Sequence, residues 1–230
     1  MELIIKPTSR CNFACKFCSA GDLSIKHLSS VTSELKDLLQ QLNPSNVIIT
    51  GGDPLCVSPA FYEELLRLGS WRISMTSNLK AFYEDHDTWV PLFKNPRVGV
   101  CTSFQYGKGR MWDAATPYTE EMFRKVFDKF LSLVGYRLKF ISVIGPDNES
   151  RALDHLLLAK ELRTKCKLNG VMPLGKSSTA YPMHKIIEIW LQAYEQGLSQ
   201  FLDTDISLHR GGCNLNVNCL CSSTIRSVQV

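Results

Sequence analysis

The 230-residue sequence has no apolar run near the roughly 20 residues needed to cross a bilayer, and no cationic leader stands before a hydrophobic segment. Its opening, MELIIKPTSR, holds only three consecutive apolar residues. A soluble, cytoplasmic chain with no membrane attachment is therefore expected. Excess charge of one sign is also scarce, because 26 Lys and Arg stand against 22 Asp and Glu for a net +4. That balance permits nucleic acid as a partner without implying it. Low-complexity tracts are missing, and no repeat stands out beyond an alternation of strand-like and helix-like segments. With 44% hydrophobic residues the chain can bury a real core, as one domain or one domain with an appendage.

Cysteine, by contrast, is abundant at nine residues. Without an export signal these thiols are expected to stay reduced, which turns the reading from disulfides toward metal binding or catalysis. Three lie in CNFACKFC as Cys11, Cys15 and Cys18, and three more, Cys213, Cys219 and Cys221, crowd the tail. Cys56, Cys101 and Cys166 are scattered and read as small buried hydrophobes. Three thiolates are one too few for a closed structural zinc site, and no fourth Cys or His lies near the first group.

Apolar runs alternate with amphipathic segments in the manner of βα units around a parallel sheet. Strands are expected at 3–6, 46–50, 72–77, 97–104, 137–144 and 166–174, with helices at 31–42, from Pro59 to Gly69, and at 84–93, 119–134, from near Asn148, and at 182–196. Leu35, Leu38, Leu39 and Leu42 mark one helical face; Phe123, Val126, Phe127, Phe130, Leu131 and Val134 mark another. Six units fall short of a full eight-stranded barrel. The expected fold is α/β, a partial (β/α)6 TIM-like barrel over 1–203, with a cysteine-rich C-terminal extension over 204–230. The tail lacks helical periodicity and stops on TIRSVQV, which reads like a strand lacking its partner, so the natural chain is expected to continue past Val230.

Two distinctive stretches fall on one rim of such a barrel, since the cysteine loop follows strand one and GGDP (51–54) follows strand two. Three thiolates on a short loop suit a [4Fe–4S] cluster, one per iron, with the fourth iron open. The spacing CxxxCxxC with Phe17 before its last cysteine, GGDP, TSN (76–78), Ser103 at the end of strand four and PLGK (173–176) together resemble the radical SAM superfamily. Asp53 stands where that family usually has Glu. Taken singly, GGDP also reads as an ordinary turn, and Thr76, Ser77, Asn78 and Ser103 as strand caps.

The resemblance implies that Cys11, Cys15 and Cys18 ligate the cluster and that S-adenosylmethionine chelates the open iron. Gly51 and Gly52 would let the backbone approach the methionyl ammonium group, which would donate either to Asp53, one methylene shorter than the family's Glu, or to water or a backbone carbonyl in its place. Phe17, Pro54, Thr76, Asn78 and Ser103 complete the implied cofactor contacts. An electron delivered by a reductant such as flavodoxin or ferredoxin would cleave the sulfonium, and the resulting 5′-deoxyadenosyl radical would take hydrogen from a substrate inside the barrel. The tail cysteines resemble the SPASM or twitch extension, which holds an auxiliary Fe–S cluster. A zinc knuckle is the competing reading of the tail.

The expected activity is thus oxidation or another change to a peptide or a small metabolite. Against a peptide, the chain opens directly on strand one and leaves no room for a leader-binding module, which a separate partner would supply. An alternative is modification of a nucleotide or nucleic-acid base, motivated by the net charge and by Tyr106, Lys108, Arg110 and Trp112 in the loop QYGKGRMWD (105–113), which otherwise reads as solvated and flexible. A zinc-stabilised binding module without radical chemistry is the non-enzymatic alternative. His184 and His209 read as solvated or structural.

Overall fold

The computed structural model describes residues 1–20, 25, 27–178, 180–203 and 225–227. Cys213, Cys219, Cys221 and His209 lie outside the described residues. The chain runs β1 (Glu2–Thr8), α1 (Ser33–Leu42), β2 (Asn46–Gly51), α2 (Pro59–Leu68), β3 (Arg72–Thr76), α3 (Lys80–Glu84), α4 (His86–Phe93), β4 (Val98–Ser103), α5 (Glu120–Val134), β5 (Lys139–Ile144), α6 (Asp154–Glu161), β6 (Cys166–Gly170) and α7 (Met183–Glu195). A short terminal strand, β7 (Ile225–Ser227), follows. All pairings between the described strands are parallel, in the order β6-β5-β4-β3-β2-β1-β7. The sheet does not close, which makes it a partial TIM-like barrel. The terminal strand does have a partner: Ile225, Arg226 and Ser227 pair with Glu2, Leu3 and Ile4 of β1.

Strand alternation shows which face holds the core. Leu3 and Ile5, Val47 and Ile49, Ile73 and Met75, Val98 and Val100, Phe140 and Ile144, and Cys166 and Leu168 are buried. The intervening Lys6, Thr50, Ser74, Thr76, Cys101, Ser103, Lys139, Ile141, Lys167 and Asn169 retain solvent access. A parallel sheet covered on both faces would read as continuous hydrophobic runs. Here one face is sealed by helices, and the concave face is left for a ligand. The main anchor is α5, capped by Thr119 accepting from the Met122 N–H and ended by Gly135 at φ 95°. Its Phe123, Val126, Phe127, Phe130 and Val134 are buried, each worth about 1.5–3 kcal/mol of apolar transfer.

Several local expectations change. The helix expected over 84–93 is α4, and an unexpected α3 precedes it as a separate helix, because the Asp85 carboxylate accepts from the Thr88 N–H and starts a new helix. Strand β6 stops at Gly170 rather than 174, and the PLGK segment turns back over the cysteine loop, Gly175 adopting φ 65°. Of the scattered cysteines only Cys166 is fully buried. Cys101 is part-exposed on the concave face, its thiol donating to the Lys139 carbonyl at 3.2 Å.

The loop 105–113 is not a solvated excursion. Gln105, Tyr106, Arg110 and Met111 are buried, and Trp112 stacks on Tyr118 at 5.6 Å between ring centres. Beneath the loop the Tyr106 N–H donates to His155 Nε2 at 3.0 Å, so the ring proton sits on Nδ1, which faces the Ala152 carbonyl. Burial pushes His155 down to about 4, and it is neutral at pH 7.

Candidate functional site

The strand ends converge on a cavity of about 680 Å³, within the range of small-molecule sites. Cys11, Cys15 and Cys18 line one side, Gly51, Gly52, Asp53, Thr76 and Asn78 continue the wall, and Ser103 and Arg110 face them from β4 and its loop. Thus every site residue expected within the described chain borders this cavity except Pro54, which sits directly behind Asp53.

Backbone contacts position the cysteine loop. Gly52 N–H donates to the Thr8 carbonyl and Asp53 N–H to the Arg10 carbonyl, both at 2.8 Å, fastening the loop's start to GGDP. Ala14 N–H donates to Met111 O at 3.2 Å and Lys16 N–H to Gly109 O at 2.8 Å; Lys176 N–H closes the far end on Cys18 O at 3.0 Å. The buried Phe13 ring meets Tyr118 and Trp112 at 5.0 and 5.4 Å.

Sequence reasoning assigned the two glycines to close approach toward a cofactor. The close approach visible here is to the chain itself: a Cβ on Gly51 would lie 2.4 Å from Thr8 O, and one on Gly52 would lie 2.0 Å from Arg10 O. Gly51 also adopts φ 118°, which side-chain-bearing residues rarely reach.

Asp53 is buried, and its carboxylate is already engaged. Oδ1 accepts from Leu55 N–H at 2.9 Å, Oδ2 accepts from Asn78 N–H at 2.7 Å, and the Ser77 hydroxyl lies 2.9 and 3.2 Å from the two oxygens. Burial pushes the carboxyl up from its ordinary range, and these donors together with the Arg110 charge oppose that shift. The Asn78 amide in turn donates to Asn12 Oδ1 at 2.8 Å and reaches 3.7 Å from Cys11 Sγ. Asp53 therefore links the end of β2, the end of β3 and the cysteine loop.

Three further residues escaped the sequence reading in the roles they hold here. Arg110 is buried, donates to Ser103 Oγ at 2.8 Å and lies 5.4 Å over the Phe17 ring. Lys80 donates to Trp112 O at 3.0 Å and lies 5.0 Å over that indole. Asn12, within the cysteine motif, holds Asn78. The missed signal was hydrophobic: Tyr106, Met111, Trp112 and Tyr118 give the segment after β4 more buried apolar surface than a solvated loop carries.

The donor set bears on what the site can hold. Cys11, Cys15 and Cys18 are unpaired thiols beside one cavity. Among the described residues no three His, Cys, Asp or Glu side chains are arranged to hold a metal ion. A polynuclear cluster takes one thiolate per iron and so needs separated sulfurs on a shared wall, a requirement this loop fits. Cys11 is exposed as a residue, yet desolvation of its sulfur pushes the thiol up to about 12; the nearby Asp53, Cys15 and Cys56 add to the rise, against a bond from the Phe13 N–H. Ligation there must displace a proton. His184, on α7, is not among the cavity residues.

Residues 5–159, more than half of the chain, match the family model described as the radical SAM superfamily. Among curated proteins no sequence match is found. Similar solved structures include Streptococcus suis SuiB bound to precursor peptide SuiA, with TM-score 0.63 and 16% identity over 85% of this chain and 46% of that one. A histidine-tagged anSMEcpe with bound AdoMet is similar at TM-score 0.64 and 17% identity, over 86% of this chain and 62% of that one. This chain thus spans less than two thirds of either neighbour. Likeness at such identity is likeness of fold. No described helix is long and apolar enough to cross a membrane.

Proposed function

The chain belongs to the radical SAM superfamily, and from that premise we propose that it abstracts hydrogen from a peptide or small-metabolite substrate held in the open barrel, with an auxiliary Fe–S cluster in its tail. The carrying observation is the convergence of three unpaired thiols, the Gly51–Gly52 edge and the Asp53–Asn78 network on one cavity. Cys11, Cys15 and Cys18 would hold a [4Fe–4S] cluster, while Gly51, Gly52, Asp53, Thr76, Asn78, Ser103 and Phe17 would hold S-adenosylmethionine, with Pro54 behind Asp53. Arg110 joins that set, because its guanidinium suits the cofactor's carboxylate. When bound, the pair supplies one-electron cleavage of the sulfonium and a 5′-deoxyadenosyl radical.

The chain's own residues orient the cofactor and shield it. Phe13, Trp112 and Tyr118 form a packed floor behind the cysteine loop. Concave-face Ile141 and Val143, with Met172, Met183 and Ile186, give the cavity an apolar side. The precursor peptide in the SuiB structure supports the peptide reading. The nucleotide alternative loses its main support, since Tyr106 and Trp112 spend their rings on His155 and Tyr118 rather than offering them to a base.

Anaerobic reconstitution followed by iron, sulfide and zinc analysis tests the reading. The expected result is iron and sulfide for two clusters per chain, falling to the about four irons of one [4Fe–4S] cluster in a Cys213→Ala/Cys219→Ala/Cys221→Ala variant. That variant should still release 5′-deoxyadenosine with dithionite and S-adenosylmethionine, and should lose productive turnover. Zinc bound by the tail would leave a structural clasp there; wild-type protein yielding no 5′-deoxyadenosine would overturn the enzyme itself.

Asp53→Ala offers a second check. It strands the buried N–H groups of Leu55 and Asn78 at roughly 1–3 kcal/mol each. The expected outcome is a lowered thermal midpoint, with S-adenosylmethionine bound about ten- to a hundredfold more weakly and cluster iron retained. Affinity and midpoint matching wild type would show that GGDP acts only through its backbone.

A further inference from the structure

A second depression, of about 360 Å³, lies across Phe17 and Val171 from the main cavity, both residues bordering each space. Lys16, Lys108 and Lys176 line it, with Asp147 as the sole carboxylate among the described residues. All three lysines are exposed, and none has an ion-pair partner among the described residues. Lys16 belongs to the cysteine loop itself, and Lys108 and Lys176 come from two other loops, each tied to it by a backbone hydrogen bond. Lys16 lies between Cys15 and Cys18 and donates its N–H to Gly109 O; Lys108 precedes that glycine; Lys176 donates its N–H to Cys18 O.

Three cations with one anion form a site for a negatively charged partner, and their placement says what kind. A substrate must reach the main cavity, whereas this patch stands outside it, against the back of the ligand loop. A partner docked here would be separated from the cysteine ligands by little more than the loop backbone and the Phe17 ring. From this placement we infer that the Lys16, Lys108 and Lys176 face is the docking surface for an acidic electron-transfer protein carrying a flavin or an iron–sulfur centre. The inference rests on the function proposed above, since it supplies the electron that chemistry consumes. One electron leaves the donor, oxidising it by one level, and takes the cluster down one level; no proton or group is transferred. Charge complementarity of this sort governs encounter more than final affinity and weakens with salt. The modest size of the patch suits the small interfaces of redox encounters.

The experiment uses a flavodoxin as probe and reads binding by titration calorimetry at low ionic strength and at about 0.15 M salt, where the screening length is about 8 Å. Wild type is expected to bind, more weakly at the higher salt. Lys108→Glu/Lys176→Glu should bind about tenfold more weakly or worse, with Lys108→Gln/Lys176→Gln intermediate. Lys16 stays native because it lies within the cysteine motif. Iron content and dithionite-driven 5′-deoxyadenosine should match wild type in both variants, while flavodoxin-driven product falls in step with binding. Equal affinity across the variants, or wild-type binding indifferent to salt, overturns the docking surface. A poly-glutamate peptide that binds while the flavodoxin does not overturns it in favour of an acidic peptide site. Loss of dithionite-driven product from wild type would instead count against the proposed function, and the binding comparison would still be readable.

Discussion

Converting Cys11, Cys15 and Cys18 together to Ala is expected to remove the barrel-site iron and reduce 5′-deoxyadenosine formation to background while leaving the protein folded. The loop's position does not depend on its thiols: Ala14 N–H, Lys16 N–H and Cys18 O make their bonds through the backbone, and Phe13 is anchored among Tyr118 and Trp112. The sulfurs are partly exposed on a cavity wall, so truncating them opens no sealed core void. Two contacts to Cys11 Sγ are lost, from the Phe13 N–H at 3.4 Å and the Asn78 amide at 3.7 Å, and each such bond is worth about 1 kcal/mol or less. Thermal unfolding of the metal-free variant should therefore track metal-free wild type. The reconstituted proteins should diverge, because a group bound only by the native state adds its binding energy to folding stability. Product formation by the triple variant at the wild-type rate would sink the cluster assignment.

Sequence legibility followed the distance over which each feature is determined. The six strands and most of the helices could be read because their signals are local: the apolar stripe of α5, the Ser58–Pro59 start of α2, the apolar runs of β1 and β2. The two motifs on one rim were also legible, since each directly follows a strand. What stayed hidden depends on pairings far apart in sequence. Nothing local says that Asp53 will be engaged by Ser77 and Asn78, 24 and 25 residues away. Arg110 and Lys108, two residues apart, look alike as letters, yet one is buried against Ser103 and the other is exposed. The glycines show the same limit: their presence was readable, but the partner of their close approach was not.

Those glycines carry the other large effect. Gly52→Ala is expected to destabilise the fold and prevent cluster incorporation even though only one methyl is added. The new carbon would sit 2.0 Å from Arg10 O, 2.6 Å from Arg10 C and 2.7 Å from Ser9 C, all backbone atoms with no rotamer to escape through. Relief requires the start of the cysteine loop to separate from GGDP, breaking the Gly52 to Thr8 and Asp53 to Arg10 hydrogen bonds and moving Cys11 with its neighbour. Overpacking of a rigid site costs roughly 1–3 kcal/mol and occasionally more; with two backbone hydrogen bonds lost as well, the upper end or beyond is expected. Gly135→Ala supplies the control. Gly135 has φ 95°, but a Cβ there meets nothing within 4 Å, so its replacement stores only the left-handed strain of about 1–2 kcal/mol and leaves iron loading intact. Thermal unfolding and iron content of the two variants, measured side by side, separate local strain from displacement of the ligand loop. A Gly52→Ala protein that loads iron like wild type would mean the cysteine loop tolerates this shift, and that GGDP does not set its position.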